Sequence, residues 1–148
     1  MALSADARYV TKGDEVVNVA VKSGATIYDG ALLMADTDTG GAAEPYDGNI
    51  GAILLGWHFG DTEDDGTSSP AHTAKIARGG FQIKGLAVSG LAGTAADIGK
   101  KVYAQDDGTY DVVSQTTHEV LVGHVVSADS STTATVLMLP NVYGTVGV

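Results

Sequence analysis

Glycine is the feature that most limits what this chain can become: it fills 20 of 148 positions, about twice the ordinary share, against 3 prolines. Glycine weakens helices and supplies the backbone that tight turns need. A chain punctuated this densely reads as many short strands joined by turns. Val and Thr are abundant between the glycines, as strands prefer. A hydrophobic share of 44% is too high for a disordered chain. The expected class is mainly β: a small β-sandwich or barrel with at most one short helix and an extended N-terminal arm. The length fits one domain that buries a core without disulfides or metal.

The pattern divides the chain into an arm over residues 1–14, a single β domain over 15–140 and a C-terminal tail over 141–148. In VVNVAV, Val17, Val19 and Val21 alternate with polar or small residues, which predicts a half-buried strand. Further strands are expected at Thr26–Tyr28, Ala31–Ala35, Ala43–Tyr46, Ile50–Phe59, His72–Ala77, Phe81–Lys84, Val102–Ala104, Tyr110–Val113, Val120–Val126 and Thr132–Leu139. Leu86–Val88 continues extended. Leu91–Gly99 allows one or two helical turns, Asp61–Pro70 reads as a surface loop, and Asp106-Asp107-Gly108 signals a hairpin. YDGALLMADTDTG and DIGKKVYAQDDG share a pattern, with Gly30 matching Gly99, Leu33 matching Val102 and Ala35 matching Ala104. AILLGWHF and EVLVGHVV extend it, with Gly56 matching Gly123. Two readings stand: the self-similarity of any glycine-rich β chain, or two related β units around one core.

The net charge is −10, from 8 basic and 18 acidic residues. That sign disfavours non-specific nucleic-acid binding and adhesion to anionic membranes. No apolar run approaches the ~18 residues of a membrane span, and MALSADARYVTKGDE lacks the apolar region of a secretory signal. The basic residues gather in Arg8–Lys22 and Lys75–Lys101, and two readings stand: a solvated acidic surface that aids solubility, or an acidic face pointing outward with the basic clusters facing a partner. The chain has no cysteine, so a disulfide framework and a thiol nucleophile are excluded.

Tests for chemistry come back empty. Asp61, Glu63 and Asp65 with Gly66 copy the opening of a calcium loop, but His72 stands where a bidentate Glu is needed. His58, His72, His118 and His124 form no metal-ligand spacing, and His118 and His124 on one strand would lie ~20 Å apart. GxSxG and phosphate-loop signatures are absent, although Gly90 follows Ser89. The expectation is no enzyme, no metal and no cofactor. Trp57 and Phe59 flank His58 on the most apolar strand. They are expected in the core, or at a subunit interface, where aromatic residues are enriched.

Four stretches carry a family resemblance: VVNVAVKSGATIYDGALLMAD, ARGGFQIKGLAV, IGKKVYAQDDGTYDVV and VGHVVSADSSTTATVLMLP. Over roughly residues 15–140 they resemble the capsid decoration, or cement, proteins of tailed bacteriophages. The resemblance implies a structural virion protein on the outer surface of the capsid, made in the host cytoplasm. It implies a homotrimer that binds the major capsid protein at three-fold or quasi-three-fold sites and stabilises the shell, without nucleic acid, membrane or cofactor. By position, it assigns capsid binding to the arm over residues 1–14, with Leu3, Arg8, Tyr9, Val10 and Lys12 as candidates; the acidic net charge separately makes the side of Arg8, Lys12 and Lys22, and not the Asp61–Asp65 loop, the one expected to meet the shell. It leaves Trp57 and Phe59 as subunit-interface candidates. The alternative is a β-barrel binding or carrier module, which VKSGATIYDGALL also resembles, or a tail or fibre component of the virion.

Overall fold

The computed structural model describes residues 16–38, 40–49, 52–64, 73–113 and 120–139. The arm candidates Leu3, Arg8, Tyr9, Val10 and Lys12, the tail, Asp65, His72 and His118 lie outside the described residues. The fold is mainly β, with two antiparallel sheets. In chain order the elements are β1 (Val16–Ala20), β2 (Thr26–Ile27), β3 (Leu32–Asp36), β4 (Ala42–Pro45), β5 (Ile53–His58), β6 (Glu63–Asp64), β7 (Thr73–Ala77) and β8 (Gln82–Ala87). A 3-10 turn (Ala95–Asp97) then precedes β9 (Lys101–Ala104), β10 (Tyr110–Asp111), β11 (Val120–Ala128) and β12 (Thr133–Met138). The helical character expected at 91–99 shrinks to that one turn. Glu63–Asp64, read as loop, is a strand paired with β2, with Thr26 opposite Asp64 and Ile27 opposite Glu63.

The sheet orders are β1-β7-β5-β3-β4 and β8-β12-β11-β9-β10. They are the same order in two successive stretches of chain. Each sheet curls until its outer strands meet at one parallel bridge, Val21 to Ala43 in the first and Ser89 to Asp111 in the second. The irregularities repeat as well. On β3 and β5, Leu33 faces Gly56 and Met34 faces Leu54, so Leu55 is bulged out. On β9 and β11, Val102 faces Gly123 and Tyr103 faces Leu121, so Val122 is bulged out. Gly30 N–H donates to the His58 carbonyl (2.7 Å) and Gly99 N–H to that of Val125 (2.8 Å). The likeness in sequence is therefore a repeat in structure, a first unit to Ala77 and a second from Gln82.

Close backbone approach requires glycine at one repeated position. A Cβ on Gly56 would collide with the Ala77 carbonyl oxygen and stand 2.8 Å from Ile76 Cγ2. A Cβ on Gly123 would stand 2.5 Å from the Leu137 carbonyl oxygen and 2.8 Å from Val136 Cγ1. These are matching neighbours, since His58 pairs with Ile76 and Val125 with Val136.

The core follows from strand alternation and the bulges. Inside the first unit, Val21, Ile27, Ala31, Leu33, Ala43, Ala74 and Ile76 pack together, with Val17, Val19 and Leu55 against them. Leu32 and Met34 point to the other face of β3 and join a larger cluster with Leu54, Trp57, Phe81 and the inner face of the second unit, including Val102, Val122, Val125 and Val136. Simple alternation puts Leu55, Trp57 and Phe59 on one face. The bulge at Leu55 breaks that period, sending Leu55 into the first unit and Trp57 into the shared core.

Gly123→Ala is expected to cost about 2–3 kcal/mol through overpacking against a carbonyl that has nowhere to go. Gly40→Ala, in open space at φ +79°, should cost only the ~1 kcal/mol of a left-handed alanine. Urea unfolding of both variants checks the difference; equal losses would remove the close-approach argument.

Candidate functional site

The parallel bridge of each unit forms a seam, and the two seams are built from matching positions. In the first, Lys22 N–H donates to the Ala43 carbonyl at 2.9 Å. The Lys22 ammonium then reaches Glu44 Oε2 at 2.7 Å and Asp36 Oδ2 at 3.3 Å. The Glu44 hydrogen bond, aided by Asp36 and opposed by burial, holds Lys22 above its ordinary value. Lys22, expected on the side that meets the shell, holds these two carboxylates with its side chain still 35% exposed.

In the second seam, Ser89 N–H donates to the Tyr110 carbonyl at 3.0 Å and Val112 N–H to the Ser89 carbonyl at 3.1 Å. Beside this bridge lies an open cavity of about 440 Å³. The β8 end, the Gly108–Tyr110 turn and Ser131–Thr132 line it. Its wall is stiffened by Asp106, whose carboxylate accepts from Gly108 N–H (2.9 Å), Thr109 N–H (2.7 Å) and the Thr109 hydroxyl (3.1 Å). Burial alone would raise Asp106; those donors hold it below its ordinary value.

The remaining ionisable groups in the interior serve the scaffold. Asp97 is fully buried and accepts from the N–H groups of Ala92 (3.1 Å), Gly93 (2.8 Å) and Thr94 (3.2 Å), and from Lys100 Nζ (2.7 Å). With Thr94 it makes a capping box around the 3-10 turn. Lys100 first, then the backbone donors, pushes Asp97 far below the usual carboxylate range against the effect of burial. His58, also buried, places Nδ1 3.0 Å from the Lys75 carbonyl and Nε2 2.8 Å from that of Asp61. Asp29 accepts from Gly60 N–H at 3.0 Å. No group of three His, Cys, Asp or Glu side chains able to hold a metal occurs among the described residues.

Trp57 is fully buried and meets Phe81 edge-on at 5.4 Å; Phe59, half-buried, meets the same ring at 5.0 Å. Trp57 therefore belongs to the core and not to a subunit contact, since its indole has no outer surface. Its N–H approaches the Tyr110 oxygen without the alignment of a hydrogen bond, and neither atom has another partner among the described residues. Burial pushes Tyr110 up, the indole opposes it, and the charges of Asp107 and Asp106 add to it.

No protein-family model and no curated protein matches the chain.

Asp97→Asn is expected to lower the melting temperature at pH 7. Its folded pKa lies below the ordinary 3.8, so its contribution is present above that pH and lost as pH falls below it. The stability of the variant should therefore fall less steeply than wild type from pH 5 to pH 2; parallel acid limbs would contradict this. Tyr110→Phe removes an ill-satisfied hydroxyl and should be neutral or stabilising by up to about 1 kcal/mol. A loss above that in urea unfolding would mean that the hydroxyl is well bonded.

Proposed function

We propose that the protein is a capsid decoration protein: it coats the outside of a tailed-phage head as a homotrimer, bridges neighbouring copies of the major capsid protein, and stabilises the shell. The support from the structure is how its interior polar groups are used. Asp29, Asp36, His58 and Asp97 all engage the chain's own backbone or lysines. A fold that commits its buried ionisable groups to holding loops and seams fits mechanical service better than turnover. The four stretches that resemble cement proteins fall largely on the described strands, and they supply the rest of the support.

The mechanism is mass action. A ligand that binds the assembled lattice and not its dissociated subunits adds RT ln(1 + [L]/Kd), about 2.7 kcal/mol per site at a hundredfold excess over Kd. Summed over a shell, that increment resists the pressure of packaged DNA. Contact with a single capsid subunit would not oppose separation, so each bound trimer has to span neighbours.

Heating full heads with and without saturating protein, and following DNA release, tests the proposal. Release should move to higher temperature with the protein bound, and light scattering should give a three-chain species. Equal release temperatures at full occupancy would overturn it.

A further inference from the structure

The outer faces of the two sheets meet different surroundings. In the first unit Leu32, Met34 and Trp57 on that face are covered by the second unit. The second sheet carries Lys101, Tyr103 and His124 at the matching places, with Lys101 exposed and Tyr103 and His124 half-buried. One row crosses this face in register: Gln82 on β8, Leu137 on β12, His124 on β11 and Lys101 on β9. Lys84 stands on the same side of β8, because Ile83 between it and Gln82 points into the core. Exposed apolar side chains accompany these groups. Leu137 lies in the row, Val126 follows on β11, and Ile98 precedes Gly99, whose N–H bonds the Val125 carbonyl.

The face has the opposite sign to the molecule. Its strands β8, β9, β11 and β12 hold no Asp or Glu, in a chain with 18 acidic residues. Neither the Lys84 nor the Lys101 ammonium has an ion pair among the described residues. The complementary charge is in the first unit, where nine carboxylates and no Lys or Arg fall between Lys22 and Lys75. Asp47 and Asp61 are exposed there and have no ion pair among the described residues. They stand at one end of the unit. Tyr46 N–H, just before Asp47, donates to the Leu32 carbonyl, and Gly60 N–H, just before Asp61, donates to Asp29, so both are tied to the stretch that enters β3.

We propose that the outer face of the second sheet binds the acidic end of the first unit in another copy of this chain, with Lys84 and Lys101 against Asp47 and Asp61, and Leu137 and Val126 packed between the charges. Meeting itself across a two-fold axis, this face would set lysine against lysine, so the contact is head-to-tail. Head-to-tail contacts close into a ring where the rotation allows, and a trimer is such a ring. The inference rests on the capsid-coating reading only in that copies of the chain associate, and it names the surfaces by which they do so.

Sedimentation and light scattering of the full chain, without capsids, test it. Association should weaken about tenfold from ~50 mM to ~500 mM salt. Lys84→Glu with Lys101→Glu should weaken it by roughly tenfold or more. Asp47→Asn with Asp61→Lys should do the same, and the asparagine keeps the acceptor for Asn49 N–H. Lys75→Glu, at an exposed lysine of β7, controls for added negative charge and should leave association within about twofold. Mixing the two double variants should restore a heteromer, because each presents the charge that the other lacks, and that rescue also shows both to be folded. A wild-type chain that stays monomeric at low salt, double variants that associate as wild type does, or a mixture that stays dissociated would overturn the interface and leave the coat to the DNA-release test. Association by these faces with no rise in release temperature would instead sink the coat reading and leave the interface standing.

Discussion

The contact on which the architecture depends is backbone against backbone, where β5 passes β7 at Gly56 and β11 passes β12 at Gly123. In each unit a carbonyl oxygen occupies the space that a Cβ would need. That approach lets the sheet bend sharply beside a bulge, and the bend brings the first and last strands within reach of one parallel bridge. A flat sheet of five such short strands would leave two long unpaired edges. Curling also decides which side of each strand is interior. Leu33 and Val102 fill the two interiors because they sit opposite these glycines.

The units differ where the fold makes no demand, and each difference has a consequence. Trp57 and His124 occupy matching places, since they pair with Ala77 and Leu137. The tryptophan is driven into the shared core, while the histidine stays half-buried on the outer face of the second sheet. That change, together with Leu32 and Met34 where the second unit has Lys101 and Tyr103, gives the first unit an outer face that cannot stand in water and that the second unit covers. His58 and Val125 are likewise matched. The valine shows that the fold itself needs no imidazole there; in the first unit His58 ties the Asp61 carbonyl, in the segment leading into β6, to the Lys75 carbonyl of β7.

The strands were legible because alternation and glycine spacing are local. Val17, Val19 and Val21 face inward as their period requires, and the pairing of Gly30 with Gly99 and of Gly56 with Gly123 survives in the register. The bulge at Leu55 was not legible, because nothing in Leu54-Leu55-Gly56 distinguishes a glycine that bends a strand from one that ends it. β6 was missed because Glu63–Asp64 has no apolar period; it is a strand only because β2 lies beside it. Lys22, Asp36 and Glu44 are brought together by sheet closure, a long-range event without a local trace. Asp97 had a local sign, Thr94 three residues before it, and the capping box could have been drawn from that spacing. The cavity at Ser89 is likewise made by sheet closure, from segments far apart in sequence, and has no local trace either.

Much of the acidity belongs to the turns. Asp36 accepts from Asp38 N–H at 3.0 Å, Asp47 from Asn49 at 2.9 Å, Asp106 from Gly108 at 2.9 Å and Asp111 from Val113 at 2.7 Å, each two residues on. Asparagine makes the same turn without the charge. Folding therefore requires a side-chain oxygen at these places but not a net charge of −10. The carboxylates set which surfaces can approach. An acidic partner face would meet repulsion at low salt, and a basic one would be drawn in. Lys22 already cancels part of that field at the first seam, where Glu44 and Asp36 hold its ammonium, so the acidity that reaches a partner is what such internal pairs leave over.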